Sequence, residues 1–416
     1  MTAATEQRPL GYEANGINVS GEDERKGLPR GLFWPWFAAN ISVLGLAYGA
    51  YVLEGGVSFW QACLAGFIGI VVSFLLVGFI AVAGKRGSAP TLVLSRAAFG
   101  VQGNKLPALV SWILNVGWEI VLTVLATLAT ATVFAQLHWS AGTATKVIAF
   151  LIVTVLIVGS AALGFDTIMR LQTVITWVTG VLTVVYLILV AGKIHWATVS
   201  AIPSGSAQQV LGVTVLVATG FGLGWVNVGA DYSRYLPRRS SGAGVVWWTT
   251  FGASIAPLFL LTFGLLLAGS VYVVFFASDF VVQFEGFLIT LGVPIAAWCG
   301  IMLADILLRR SAYSDADLFS SSGRYGSVRW VPAILLVAST VIGWGLVTNS
   351  YASWLSWQGY LLGPFGLGGK TGTWAFANLG VIVALVIAFV GWLAFGRAAI
   401  RRQEAAPAAV ETVAAG

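Results

Sequence analysis

The chain has 416 residues, 58% of them hydrophobic and only 9% charged. Soluble domains carry roughly 25% charged residues, so this composition excludes one and specifies a polytopic membrane protein. The net charge of +6 does not point to nucleic acid, because the basic residues sort by topology. Cys63 and Cys299 lie in apolar runs, and His138 and His195 are the two histidines. That set argues against a disulfide framework and against a bound metal.

Residues 1–32 are polar, mix both signs of charge and lack a signal-peptide pattern, so they read as a cytoplasmic tail. Apolar stretches then run over 33–52, 58–83, 107–136, 146–164, 171–192, 210–229, 245–269, 281–304, 330–349 and 374–396. Each is about 20 residues or more, enough to cross roughly 30 Å of hydrocarbon as a helix. A transmembrane domain of ten helices over 33–396 is expected, followed by a disordered cytoplasmic tail over 397–416. With the N-terminus inside, 19 of the 22 lysines and arginines fall on inside segments and 3 outside. Such a split puts both termini on the cytoplasmic side of the cell membrane.

In chain order, span 1 carries Asn40, Ser42, Gly45 and Gly49 in an otherwise apolar run. Span 3 carries Leu114-Asn-Val-Gly-Trp-Glu-Ile120, and Glu119 is the only carboxylate well inside a long apolar run. A charge at the centre of a span costs about 2.5–3.5 kcal/mol on insertion scales, so such a group faces a cavity or a partner. Asn115, Trp118 and Glu119 share one helix face by their spacing. An amide, an indole and a carboxylate together suit a flat, polar, aromatic ligand. The plainer alternative is a helix–helix hydrogen bond within the bundle.

Span 6 reads Gly220-Phe-Gly-Leu-Gly-Trp-Val-Asn-Val-Gly229, with four glycines in ten residues. Interruptions in the first and sixth spans point to a transporter with a five-plus-five inverted repeat. Close helix packing through small residues is the competing reading. Asp231 and Arg234, at the inside end of span 6, form either an anchor or an ion-paired gate, and Arg96 in the loop after span 2 reads the same way.

Several stretches resemble the nucleobase:cation symport-1 family, its purine–cytosine permease branch in particular. They are Trp36-Phe-Ala-Ala-Asn40, Ser95-Arg-Ala-Ala-Phe-Gly100, Leu114-Asn115 with Gly117-Trp118, Gly224-Trp225 with Asn227, and Asp231-Tyr-Ser-Arg-Tyr-Leu-Pro237. Further matches are Gly286-Phe-Leu288, Pro294, Trp298, Asp305 and Arg309-Arg310. The resemblance implies a leucine-transporter-like fold of twelve helices, with helices 1 and 6 broken at the midplane. It implies a secondary transporter of purines, pyrimidines or related heterocycles. Carried over, the substrate positions are Asn40, Gly45, Asn115, Trp118, Glu119, Phe221, Gly224, Trp225 and Asn227, with Glu119 also expected to couple protons.

Ten spans stand where the family has twelve. The shortfall falls near 270/271, where the family's eighth helix and most of its ninth are missing from the sequence, so a truncated second repeat is expected. Two readings follow. One is a permease importing a purine or pyrimidine nucleobase by proton symport, since the helix completing a sodium site is absent. The other is a transport-defective remnant or binding protein of the same fold. A membrane enzyme would need paired catalytic groups at one depth, and Glu119 stands alone. No cofactor is expected, and the expected partners are a small nucleobase and the bilayer.

Overall fold

A segment crossing hydrocarbon must satisfy its own backbone, which restricts it to helix or closed barrel. The computed structural model describes residues 16–163, 165–270, 278–349 and 353–406. The helices are α1 (Phe33–Asn40), α2 (Leu44–Glu54), α3 (Phe59–Gly87), α4 (Thr91–Leu94) and α5 (Arg96–Phe99). Next come α6 (Lys105–Gln136), α7 (Thr143–Leu163), α8 (Phe165–Ala191), α9 (Trp196–Ser200) and α10 (Ala207–Gly220). The remainder are α11 (Gly242–Ser270), α12 (Ser278–Leu308), α13 (Trp330–Trp344), α14 (Leu379–Phe395) and α15 (Arg397–Ala405).

Each of the ten expected spans has a counterpart among the described residues. Among the described residues, seven segments are long and apolar enough to cross a membrane unaided, including Ala207–Tyr235. The first span is a bent pair, α1 and α2, turning by 67°. The last is α14, which turns by 53° into α15, and α13 is a shorter apolar helix. The suspected two-helix loss at 270/271 abuts 271–277 and so lies outside the described residues.

Two bodies of packing organise the chain. In the first, α11 packs on α1, α2 and α3, and α3 also holds α10. Small residues set that approach: a Cβ at Gly49 would lie 2.2 Å from the Gly264 carbonyl carbon, so α2 and α11 meet backbone to backbone. In the second, α12, α13 and α14 pack together. By contrast α6, α7 and α8 are mostly exposed, with only 6–17% of their apolar windows buried within the chain. Large side chains such as Trp177 and Leu189 point outward there, as lipid-facing residues must.

The side carrying the N-terminal tail is locked by polar contacts. Arg309 forms a bidentate pair with Asp305, Nε to Oδ2 at 2.9 Å and Nη2 to Oδ1 at 3.1 Å. Both side chains are almost fully buried. Arg309 Nη2 also donates to Gln403 Oε1 at 2.9 Å, and Gln403 Nε2 donates to the Ala97 carbonyl at 2.9 Å. The expected disordered tail over 397–416 is therefore corrected: residues 397–405 are helical. Ile400 and Gln403, three apart, turn inward while the arginines stay exposed. Residues 407–416 lie outside the described residues.

Removing one partner of a buried ion pair costs about 3–5 kcal/mol, because the other charge is left buried. Asp305→Ala is therefore expected to lower the melting temperature of the purified protein clearly. An unchanged melting curve would refute the structural weight given to this pair.

Candidate functional site

The breaks in spans 1 and 6 supply the only polar backbone expected at depth, and both are observed. Helix α1 ends at Asn40, whose Nδ2 donates to the Trp36 carbonyl at 2.9 Å. The side chain thus closes the last turn of its own helix, and three residues separate it from the start of α2. Helix α10 ends at Gly220, and three short 3₁₀ turns carry the chain through Gly222–Gly224, Val226–Val228 and Ser233–Tyr235.

Freed backbone groups in the second break find partners on α3 and α4. Gly222 N–H donates to Ser73 Oγ at 3.1 Å, and Ala230 N–H donates to Thr91 Oγ1 at 2.9 Å. Thr91 itself donates to Asp231 Oδ1, from N at 2.8 Å and from Oγ1 at 2.6 Å. Ser233 Oγ donates to the Ala81 carbonyl at 2.7 Å. Ser73, Thr91 and Ser233 are all fully buried. Ser73 and Thr91 do not stand out in the sequence, because a lone Ser or Thr beside an apolar helix carries no pattern, whereas Ser233 lies within the Asp231–Pro237 stretch.

Span 3 meets this break. Asn227, 1% exposed, donates from Nδ2 to Ser111 Oγ at 2.6 Å and to Asn115 Oδ1 at 3.2 Å. Its Oδ1 is buried with no hydrogen-bond partner. Trp118 lies against Gly224: a Cβ there would sit 3.4 Å from the indole Nε1. Trp225 stands edge-on to Trp36, ring centroids 6.0 Å apart, and Trp36 stands edge-on to Tyr232 at 5.2 Å. The Phe221 ring packs on Tyr48 with centroids 4.7 Å apart. The structure therefore brings together Asn115, Trp118, Gly224, Trp225 and Asn227, with Phe221 and Asn40 at the edges of the two breaks. Trp36 joins them; its signal was its place at the start of span 1.

The structure adds detail at three sets of expected positions, and at the last of them the expected ion pair is corrected. Gly45 sits at the start of α2 with its N–H on the Ser42 carbonyl inside the break, and a Cβ there would lie 3.0 Å from Leu260 Cβ, so its small size also serves the α2–α11 contact. Glu119 is not buried within the chain; it is exposed on the face of α6 that includes exposed Trp112 and Leu122. The periodicity placed it correctly relative to Asn115, but no described helix covers that face. Asp231 and Arg234 do not pair with each other. Asp231 is engaged by Thr91, while Arg234 donates to the Gly16 carbonyl at 3.0 Å and lies over the Tyr235 ring. Arg96 donates to the Leu318 carbonyl at 3.1 Å and lies over Phe319, which makes it an anchor between segments.

Chemically, the arrangement offers an unsatisfied amide oxygen, an amide neighbour and indole faces in one place. It offers no paired acid and base at one depth.

Ser73→Ala would leave the Gly222 N–H buried and unpaired, at a cost of about 1–3 kcal/mol. Ser73→Thr keeps the hydroxyl and is expected to melt like the parent. Equal stability of the alanine and parent proteins would count against this account of the break.

A family model described as a permease for cytosine/purines, uracil, thiamine, allantoin matches residues 20–285. The putative purine-cytosine permease YxlA of Bacillus subtilis (strain 168) is 24% identical over 311 residues, 74% of this chain. The aligned region spans 64% of the length of that relative. Mhp1, a nucleobase-cation-symport-1 family transporter solved closed with bromovinylhydantoin bound, superposes with a TM-score of 0.65 at 17% identity. That match covers 95% of this chain and 99% of Mhp1. Inward-facing Mhp1 gives 0.61 at 16% identity, over 95% and 98% of the two chains. These two likenesses establish the fold, the leucine-transporter-like architecture that the family resemblance implied.

Proposed function

Because this chain belongs to the family of permeases for cytosine/purines, uracil, thiamine and allantoin, we propose that it imports a purine or pyrimidine nucleobase across the cell membrane by proton symport. The observation that carries the reading is the unpartnered Asn227 Oδ1 at the break of span 6. A buried acceptor without a donor costs free energy, and an N–H on a nucleobase edge removes that cost. Asn115 lies beside it, and the indole of Trp118 borders Gly224. Stacking of a base on an aromatic side chain contributes about 1–3 kcal/mol in nucleic-acid sites. Trp118 and Trp225 are the indoles assigned to this role in the proposal.

Glu119 serves as the coupling carboxylate in this proposal. It lies one turn from Asn115 on α6, and hydrocarbon alone would not tolerate its charge. Both termini lie in the cytoplasm in this reading, since the tail side holds 19 of the 22 basic residues.

A second reading has its own observation. Glu119 and Asn115 are both exposed, which is the outcome expected if the helices that cover span 3 are lacking. On that reading the chain binds a base but does not transport it.

Uptake of labelled cytosine, adenine, hypoxanthine, uracil, allantoin and thiamine distinguishes the two, in cells without nucleobase carriers and with or without a protonophore. Saturable, protonophore-sensitive uptake of one compound is expected. Binding without uptake, in protein shown to reach the membrane, supports the second reading. Glu119→Gln is expected to abolish uptake while leaving membrane insertion intact, and full uptake by that variant would remove Glu119 from the mechanism.

A further inference from the structure

Where α12 ends and α15 begins, a groove of about 540 Å³ opens on the tail side. Its size falls within the roughly 300–1,000 Å³ of small-molecule sites. Arg310, Arg397 and Arg401 line it together with Leu307, Leu308 and Ile400. All three arginines are exposed, and none takes part in the ion pairs found among the described residues. Glu404 also borders the groove, but its carboxylate is occupied: Oε1 accepts the N–H of Arg310 at 2.8 Å and of Ser311 at 2.7 Å. The groove therefore presents three guanidiniums against one engaged carboxylate.

Its apolar half has a separate character. Leu307 is 67% exposed at the end of a membrane-spanning helix, and the apolar α14 stops at Phe395, itself 67% exposed. The chain then bends by 53° into α15, which brings its arginines to the mouth of the groove. Positive charge above an exposed aliphatic edge, at the level where spans end, matches one kind of molecule. It needs an anionic phosphate next to hydrocarbon. Guanidinium groups suit phosphate oxygens through paired N–H donors.

We propose that this groove is a binding site for the headgroup of an acidic phospholipid, held by Arg310, Arg397 and Arg401 with its acyl chain against Leu307. The site is separate from the break in span 6, so its occupant is not the transported molecule. Its effect is on α15: a lipid phosphate bridging Arg310 to Arg397 and Arg401 ties that helix to the end of α12.

The test uses the full-length protein in neutral detergent. Melting is recorded with dioleoylphosphatidylglycerol, dioleoylphosphatidylcholine or inorganic phosphate at matched concentrations. Phosphatidylglycerol is expected to raise the melting temperature by roughly 1–2 °C, given the unfolding entropy of a chain of 416 residues. Phosphatidylcholine and phosphate are expected to leave it unchanged. The double variant Arg397→Gln/Arg401→Gln, and Arg310→Gln alone, lose the shift, and lipid retention in native mass spectrometry falls about tenfold. Arg239→Gln, an exposed guanidinium away from the groove, retains both. Should the double variant fail to fold, Arg310→Gln decides. Equal shifts from phosphatidylcholine, an equal shift from phosphate alone, or variants that respond like the parent would each overturn the proposal.

Discussion

Within a bilayer an unwound backbone has no water to turn to, so every freed N–H must be met from inside the protein. The break in span 6 exists because α3 and the α4 turn meet that demand. Ser73 and Thr91 hold the two ends of the unwound stretch, at Gly222 and Ala230, and Ser233 fixes the exit on the Ala81 carbonyl. With those ends fixed, the stretch between them is free to present side chains. Asn227, Trp225 and the bare Gly224 all come from it. The polar group described here is thus a product of three hydroxyls that touch none of its chemistry.

Span positions and both breaks were legible in the sequence, since apolar length and clustered glycines are local signals. What glycine alone does not disclose is its neighbour. Gly224 leaves room for Trp118, whereas Gly45 lets Leu260 close in, and both read alike in the sequence. Glu119 shows a related limit. Helical period puts it on the face of Asn115 and Trp118, but burial depends on which helix lies opposite, and period carries nothing about that. Asp231 and Arg234 had the right spacing to pair. Thr91 and the Gly16 carbonyl, from distant parts of the chain, took each of them instead.

The tail side follows a different principle from the membrane interior. There the cations bind carbonyls and carboxylates of distant segments. Arg86 donates to the carbonyls of Ile306 and Arg309, Arg238 is paired with Asp315, and Arg25 donates to Ser88 Oγ at 2.8 Å while pairing with Glu22. Arg86 ties the end of α3 to the end of α12, Arg238 ties two loops together, and Arg25 ties the N-terminal tail to the residue after α3. A surface that would otherwise be a set of separate connections becomes one sheet of bonded segments, and the two broken helices hang from it.

The Gln403 contact also imposes an order in time. Arg309 and Asp305 emerge from the ribosome 94 residues before the amide that completes their shell. At about 5–20 residues per second, that interval is roughly 5–19 s. Throughout it, the buried pair beneath Ala97 waits without its third partner. Until α15 arrives, Arg309 lacks the Gln403 amide and the Ala97 carbonyl lacks its donor, so the burial of this pair is completed only by the last helix of the described chain.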